Sequence, residues 1–370
     1  MKTIIKAAQA RAERERRGME QEEYEKFLKS HIPIIKVVGV GGAGGNTVTR
    51  LIEMGVEGAE LIAVNTDAQD LAKIKAHRKV LIGREVTKGL GAGSDPSLGE
   101  QAAKEDETAL KKAVGGADLV FVTCGLGGGT GSGAAPVVAE LAKKSGALTI
   151  AVVTLPFENE GLLRWENARF GLERLKNNVD AIIVIPNQKL LEIVPDLPLV
   201  TAFRVADEIL ANAVAAITKM VTSQGMVNVD FADLRAVMSS AGAALIGVGE
   251  SDSEKRAEEA VYKAINNPLL DIDITGAKGA LVYIEGGKDL KLDEAYKIID
   301  MISRYLNKDA KFIWGVGLPD EALGNTIRVL VIITGASLKE YYYPAKEEME
   351  EKEKKKMEEE LGIEFVEVEE

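Results

Sequence analysis

The chain is poor in the residues that staple or metallate a small fold: among its 370 residues there is one cysteine and there are two histidines. A single thiol makes no intrachain disulfide, and two imidazoles do not build a His-based metal centre, so a reducing cytoplasm is the expected compartment. Aromatic residues make up only 5% of the chain, and no apolar run reaches the roughly 20 residues of a membrane span. The N-terminus lacks the apolar core of a signal peptide. Also missing is a Lys-Ser or Lys-Thr pair closing any glycine loop, which excludes a Walker A phosphate site. Cys124 ends an apolar run and reads as a small core residue, and His31 and His77 as ordinary surface or packing residues.

What is present is apolar residue, glycine and acid. With 46% hydrophobic residues the chain can bury two sizeable cores, and its length suggests two or three domains. The net charge is −12, and residues 346–370, with 12 acids against 5 lysines, carry −7 of it. Nucleic acid is therefore not an expected partner, and the acidic balance reads as solubility plus an interaction tail.

The glycines gather in three loops. GGGTGSG at 127–133 follows the apolar stretch LVFVTC at 119–124 and precedes a helix-compatible segment at 134–145. Strand, loop and helix in that order make a phosphate cradle: glycines leave no Cβ to hold an anion off the backbone, and the helix presents its positive end. Thr130 and Ser132 add hydroxyls. A second loop, GVGGAGGN at 39–46, ends another apolar strand and opens a helix over about 47–54; it contains GxGxxG spacing at Gly39, Gly41 and Gly44. Alone, with Asp67 further on, that spacing suggests a dinucleotide fold. The third loop, GLGAGSDP at 89–96, tips the balance, because three glycine loops suit one polyphosphate tail better than a pyrophosphate bridge.

Apolar runs recur from residues 34, 61, 119, 148 and 181 with helical spacing between them, predicting βαβ units and a mainly parallel sheet with ligand loops at its C-terminal edge. Apolar residues at Phe203, Ala206, Leu210, Ala213, Ile217 and Met220 predict one long helix over about 200–223 that bridges two domains. Beyond it, helical patterns near 232–240, 253–266 and 292–306 and strand patterns at 280–285, 311–315 and 326–334 predict a smaller α/β domain. In GMVNVDFAD at 225–233, Asp230 and Asp233 stand three apart at a helix start, where they can orient a water or cap the helix; the sequence leaves both readings open.

Seven segments occur together in one order: GVGGAGGN, VNTDAQ (64–69), GLGAGSDP, GGGTGSG, PFENEG with Arg164 (156–164), IPN (185–187) and GMVNVDFAD. On these the chain resembles the FtsZ family of tubulin-related GTPases over roughly residues 34–337. The resemblance implies a Rossmann-like parallel-sheet GTPase domain joined by a long central helix to a smaller α/β domain. Its boundaries would be a charged helical extension at 1–32, a GTP-binding domain at 33–199, the helix at 200–223, an activating domain at 224–338 and an acidic tail at 339–370. It implies GTP and GDP as ligands with Mg²⁺, and head-to-tail polymerisation into the division ring at midcell. Phosphate contacts would fall to Gly41, Gly42 and the stretch of Gly127, Gly128, Gly129, Thr130, Gly131 and Ser132, with Ala92 and Gly93 at the γ-phosphate. Glu160 and Arg164 would contact ribose; Asn46, Asn187 and Asp207 would contact guanine, with Phe203 stacked on it. Asn228, Asp230 and Asp233 would form the loop that completes the catalytic site of a neighbouring subunit.

Two departures stand out. Gly45 lies where many members carry asparagine, and the C-terminus lacks the proline-containing tail peptide of bacterial members. Instead it runs from Tyr341-Tyr342-Tyr343-Pro344 through a Glu/Lys-rich segment to GIEFVEVEE at 362–370, whose alternation suits a strand added to a partner's sheet and resembles archaeal tails, for which a SepF-type membrane anchor is the expected receptor. The competing readings are an FtsZ-like paralogue that polymerises for cell shape and, on Gly39, Gly41 and Gly44 alone, a Rossmann dehydrogenase.

Overall fold

The structure is a computed structural model describing residues 33–189, 199–222, 225–239, 241–266 and 277–335. The expected N-terminal extension and acidic tail lie outside the described residues.

Six strands form the first part of the sheet: β1 (Ile35–Val40), β2 (Ala59–Asn65), β3 (Arg78–Leu81), β4 (Leu119–Gly125), β5 (Leu148–Leu155) and β6 (Ala181–Pro186). They are all parallel, in the order β3-β2-β1-β4-β5-β6. Parallel strands need crossover helices, which bury both sheet faces, and this is why β1, β4, β5 and β6 read as unbroken apolar runs. The crossovers contain α1 (Gly41–Glu53), α2 (Ala68–Lys73), α3 (Arg84–Thr87), α4 (Pro96–Glu105), α5 (Glu107–Val114), α6 (Gly129–Lys144) and α7 (Leu162–Asn178). Alternate strand residues sort into two cores: Val38, Val120 and Val122 pack with α4 to α7, whereas Val37, Phe121, Ile150 and Ile183 form the opposite face.

That second face is covered by α1 and by α8 (Leu199–Thr222), whose Leu210, Val214, Ile217 and Met220 are fully or almost fully buried. The same cluster contains Leu281, Leu330 and Ile332 from the second half of the chain, so α8 is sandwiched between the two halves. The second half comprises β7 (Gly225–Val227), α9 (Phe231–Met238), β8 (Gly242–Ser251), α10 (Arg256–Ile265), β9 (Ala277–Glu285), α11 (Leu292–Ser303), β10 (Leu306–Gly317) and β11 (Ile327–Thr334). Its strand order is β8-β11-β9-β10-β7, with β9 and β10 parallel and the other neighbours antiparallel. A single strand connects the halves. Gly242 and Ala243 at the start of β8 pair with Ala181 and Ile182 of β6, and from Ala244 onward β8 pairs with β11.

Three strands escape the sequence patterns. β3 is four residues long and starts with Arg78-Lys79 at the sheet edge, and β7 is three residues long. β8 is glycine-broken because α10 lies directly on it: a Cβ on Gly247 would stand 1.9 Å from the Ala264 carbonyl oxygen, and one on Gly249 2.0 Å from that of Ala260. Two helices also begin earlier than the patterns predict, at Gly41 rather than 47 and at Gly129 rather than 134, because the glycines expected to form loops are largely first-turn residues.

Candidate functional site

A cavity of about 400 Å³ opens where β1, β4, β5 and β6 end, the crevice position expected for ligands in an open α/β sheet. It is lined by Gly41, Gly42 and Asn46 of α1, by Gly128, Gly129, Thr130 and Gly131 around the start of α6, and by Thr154 and Pro156 after β5. Glu160, Arg164, Asn187 and Asp207 complete the wall. Eleven of the residues predicted from sequence thus meet in one cavity. Thr154 was missed because a threonine at the end of a buried strand carries no distinguishing spacing.

The glycines of 127–133 divide into two kinds. A Cβ on Gly128 would meet nothing within 4 Å, so this residue faces open space. Gly131 and Gly133 are packing glycines instead: their Cβ atoms would lie 2.4 Å from the Gly125 carbonyl oxygen and 2.0 Å from that of Pro96. Gly131, expected at the phosphates, thus lets α6 press against the end of β4, and Gly133 lets it press against α4. Gly39 and Gly44 act likewise, since a Cβ on Gly39 would sit 2.1 Å from the Gly44 carbonyl oxygen. The GxGxxG spacing is therefore a close helix–strand contact in which Gly41 and Gly42 face the cavity. Gly45 turns away from the cavity toward Ile74.

Gly127 and Ser132 do not line the cavity, and they satisfy one another: the Gly127 N–H donates to Ser132 Oγ over 2.9 Å in a fully buried setting. Their role is to shape the turn. Ala92 and Gly93 also lie off the cavity wall, in the loop stacked against Gly129, whose added Cβ would be 2.9 Å from Ala92 Cβ and 2.8 Å from the Asp95 nitrogen. Asp95 caps α4 by accepting from the Ser97 N–H at 2.8 Å. Asn167 of α7 locks this arrangement: its buried amide donates to the Ser94 carbonyl at 2.8 Å and to the Gly127 carbonyl at 3.3 Å, joining two glycine loops. An asparagine in mid-helix was its only trace in the sequence. A further tie joins the hydroxyls of Thr66 and Thr130, 2.7 Å apart.

At the other side of the cavity Glu160 accepts from the Phe157 N–H at 2.8 Å and faces Arg164 at 3.2 Å. Asn187 is 6% exposed, and its Oδ1 has no hydrogen-bond partner among the described residues. A buried acceptor without a donor costs about 1–3 kcal/mol, so it marks a place built for a ligand donor. Asp207 is a largely buried acid beside it: burial pushes its carboxyl up to about 7, partly offset by a side-chain hydrogen bond from Asn46. Phe203 stands one turn before Asp207 on α8, and its side chain lies outside the described residues.

The third predicted group is elsewhere. Asp230 caps α9, accepting from the Asp233 N–H at 2.8 Å, while Asp233 accepts from the Asp230 N–H at 3.2 Å; Asn228 Oδ1 accepts from the Gly225 N–H at 2.7 Å. None of the three lines the cavity. Arg235, in the same helix, reaches the carbonyl of Asp118, immediately before β4, whereas the cavity lies past the end of that strand. Seven strand residues separate the two places by about 20 Å.

Residues 34–195 match the Tubulin/FtsZ family, GTPase domain, and residues 242–337 match the FtsZ family, C-terminal domain. The chain is 59% identical over 316 residues to Cell division protein FtsZ 1 of Thermococcus kodakarensis, covering 85% of this chain and 84% of that protein. To Cell division protein FtsZ 1 of Methanocaldococcus jannaschii it is 56% identical, covering 85% and 86%. Among solved structures it is similar to an empty FtsZ dimer of M. jannaschii, with a TM-score of 0.80 at 56% identity over 85% of this chain and 92% of that one. A GTPγS-bound protofilament of CetZ2 from Haloferax volcanii shares the fold, with a TM-score of 0.73 at 24% identity over 86% of this chain and 99% of that one.

Proposed function

The chain belongs to the Tubulin/FtsZ family and is a self-associating GTPase of the cell-division cytoskeleton, and we propose that it assembles head to tail into filaments whose hydrolytic sites are each completed by the next subunit. The separation of the nucleotide cavity from Asp230 and Asp233 along β4 carries this reading. Within one molecule the carboxylates cannot reach a phosphate in the cavity. A second copy stacked end on end brings them there, and a contact of this heterologous kind propagates into a filament.

In this reading residues 33–199 bind the nucleotide and 224–338 activate the neighbour's. The amides around Gly41, Gly42 and Gly128 to Gly131, at the starts of α1 and α6, hold the phosphates, and the loop of Ala92 and Gly93 faces the terminal one. Glu160 and Arg164 hold the ribose. Asn46, Asn187 and ionised Asp207 read guanine, with Phe203 against its face; a carboxylate accepting from N1–H and N2–H together rejects adenine, which offers neither in that place. The unpartnered Asn187 Oδ1 supports this fit. Mg²⁺, when bound with the nucleotide, would offset phosphate charge. Asp230, Asp233 and Asn228 orient the attacking water, and one acid accepts its proton as the bond to the γ-phosphate breaks. Loss of the γ-phosphate weakens the contact built around it, so the GDP state releases.

The filament's place is the cytoplasm, at the midcell ring, with residues 362–370 docking to a SepF-type anchor; SepF binding unchanged after deletion of those nine residues would exclude the tail as the docking segment. The assembly itself is tested by GTP hydrolysis per molecule over a range of protein concentrations with Mg²⁺. The expected result is activity that rises from near zero above a threshold concentration. Constant specific activity would mean that each monomer holds a complete site.

A further inference from the structure

We propose that Arg50 and Glu208 are a positioning pair for base recognition, setting the rotation of α8 so that Asp207 presents both carboxylate oxygens to guanine. The inference rests on the assignment of Asp207 to the base.

α1 and α8 are tied at two places. Asn46 shares a side-chain hydrogen bond with Asp207, and four residues later on α1 the Arg50 guanidinium donates to Glu208 Oε1 over 2.8 Å. Asn46 and Arg50 lie one above the other on the same face of α1. Asp207 and Glu208 are consecutive on α8, so their side chains leave the axis about 100° apart. One tie lets a helix roll about the contact. Two ties at different angles do not.

The surroundings hold Arg50 in this role. Its other terminal nitrogen lies 3.9 Å from Glu53, which is itself engaged by Lys75 at 2.8 Å and sits in the field of Arg204, one turn before Glu208 on α8. The two helices therefore face each other with Arg50 and Glu53 against Arg204 and Glu208. Both partners of the central pair are partly exposed, 39% and 47%, so solvent screens the ion pair and it adds little to stability. This is too little to hold two helices that already share a large apolar core. It is enough to fix the angle of the acid one residue away, and a two-point pairing is sensitive to angle where a one-point contact is not.

Inosine diphosphate separates these effects, because it lacks the exocyclic amine and can satisfy only one of the two carboxylate contacts. Dissociation constants for GDP and IDP would be measured by displacement of fluorescent GDP from the full chain kept dilute. The wild-type chain is expected to favour GDP. Arg50→Met and Glu208→Gln should each lower the IDP-to-GDP ratio of dissociation constants by about fivefold, the double variant no further, and Arg50→Lys should retain most of the preference. Loss of general integrity would weaken both ligands alike and leave the ratio unchanged. A ratio unmoved in both single variants but collapsed in Asp207→Asn overturns the positioning role and keeps the guanine assignment. A ratio unmoved in Asp207→Asn as well overturns both.

Discussion

Arg235 Nη2 donates to the backbone carbonyl of Asp118 over 3.3 Å, which places the first turns of α9 at the N-terminal end of β4, while the cavity-lining Gly128 follows that strand's C-terminal end. The molecule is polar along this axis. Its binding elements are at one end and its exposed carboxylate, Asp230, is at the other.

Asp230 caps α9 and, in the proposed mechanism, serves a neighbour's hydrolytic site; one substitution pair separates the two roles. As N-cap it accepts from the Asp233 N–H, and asparagine serves that purpose about as well, whereas alanine costs about 1 kcal/mol. Asp230→Asn is expected to keep thermal stability and GTP affinity while lowering hydrolysis at saturating protein by about a hundredfold or more. Asp230→Ala should show the same kinetic loss with a lower melting temperature. Calorimetry beside a phosphate-release assay reads both, and near-normal hydrolysis in Asp230→Asn would remove the acid from the mechanism.

Gly128 and Gly131 are expected to fail in opposite ways. Gly128 has φ −88° and ψ 168°, a conformation open to any residue, and its Cβ would enter empty space. Gly128→Ala should fold with unchanged stability and lose about tenfold in GDP affinity, because the methyl group stands where phosphate approaches. Gly131→Ala forces a Cβ to 2.4 Å from the Gly125 carbonyl oxygen and should lose about 1–3 kcal/mol of stability through overpacking. Thermal melts without nucleotide and titrations with GDP distinguish them.

Asp207 gives the site a pH dependence near neutrality. Its carboxyl is raised by burial to about 7, and the proposed pairing with guanine needs the ionised form. GTP affinity should therefore fall as pH drops below about 7, by up to about tenfold per unit, and level off above it. Stability runs the other way. A raised carboxyl pKa favours the protonated folded state, so this group's contribution is fully present below about 3.8 and is lost as pH rises through about 7. Asp207→Asn should flatten the affinity profile and remove the stability loss, as seen by GDP titration and melting between pH 5.5 and 8.5, values chosen to span about 1.5 units either side.

Much of this was legible in the chain. The buried parallel strands announce themselves as apolar runs, and the three-and-four spacing from Phe203 to Met220 marks α8. The glycine loops converge on one crevice, but only some of their glycines face it. Glycine in a sequence does not say whether the missing Cβ makes room for a ligand, as at Gly128, or for another backbone, as at Gly131 and Gly133. The Asn167 bridge between Ser94 and Gly127 was invisible because its partners are main-chain carbonyls 73 and 40 positions away. The joint between the halves was also hidden, since β8 is broken by glycines that serve α10.

That joint has a mechanical meaning. The two halves of the sheet meet through two residue pairs, Ala181 with Gly242 and Ile182 with Ala243, beside the apolar sandwich around α8. If subunits stack head to tail as proposed, load passing from the cavity end to the Asp230 end is shared between this short ladder and the apolar core around α8. The ladder is two rungs of main-chain pairing, whereas α8 is gripped by apolar side chains from both halves, so rotation of one half against the other is resisted chiefly by the α8 core. Gly242, at φ +65°, opens the one strand that carries the sheet across.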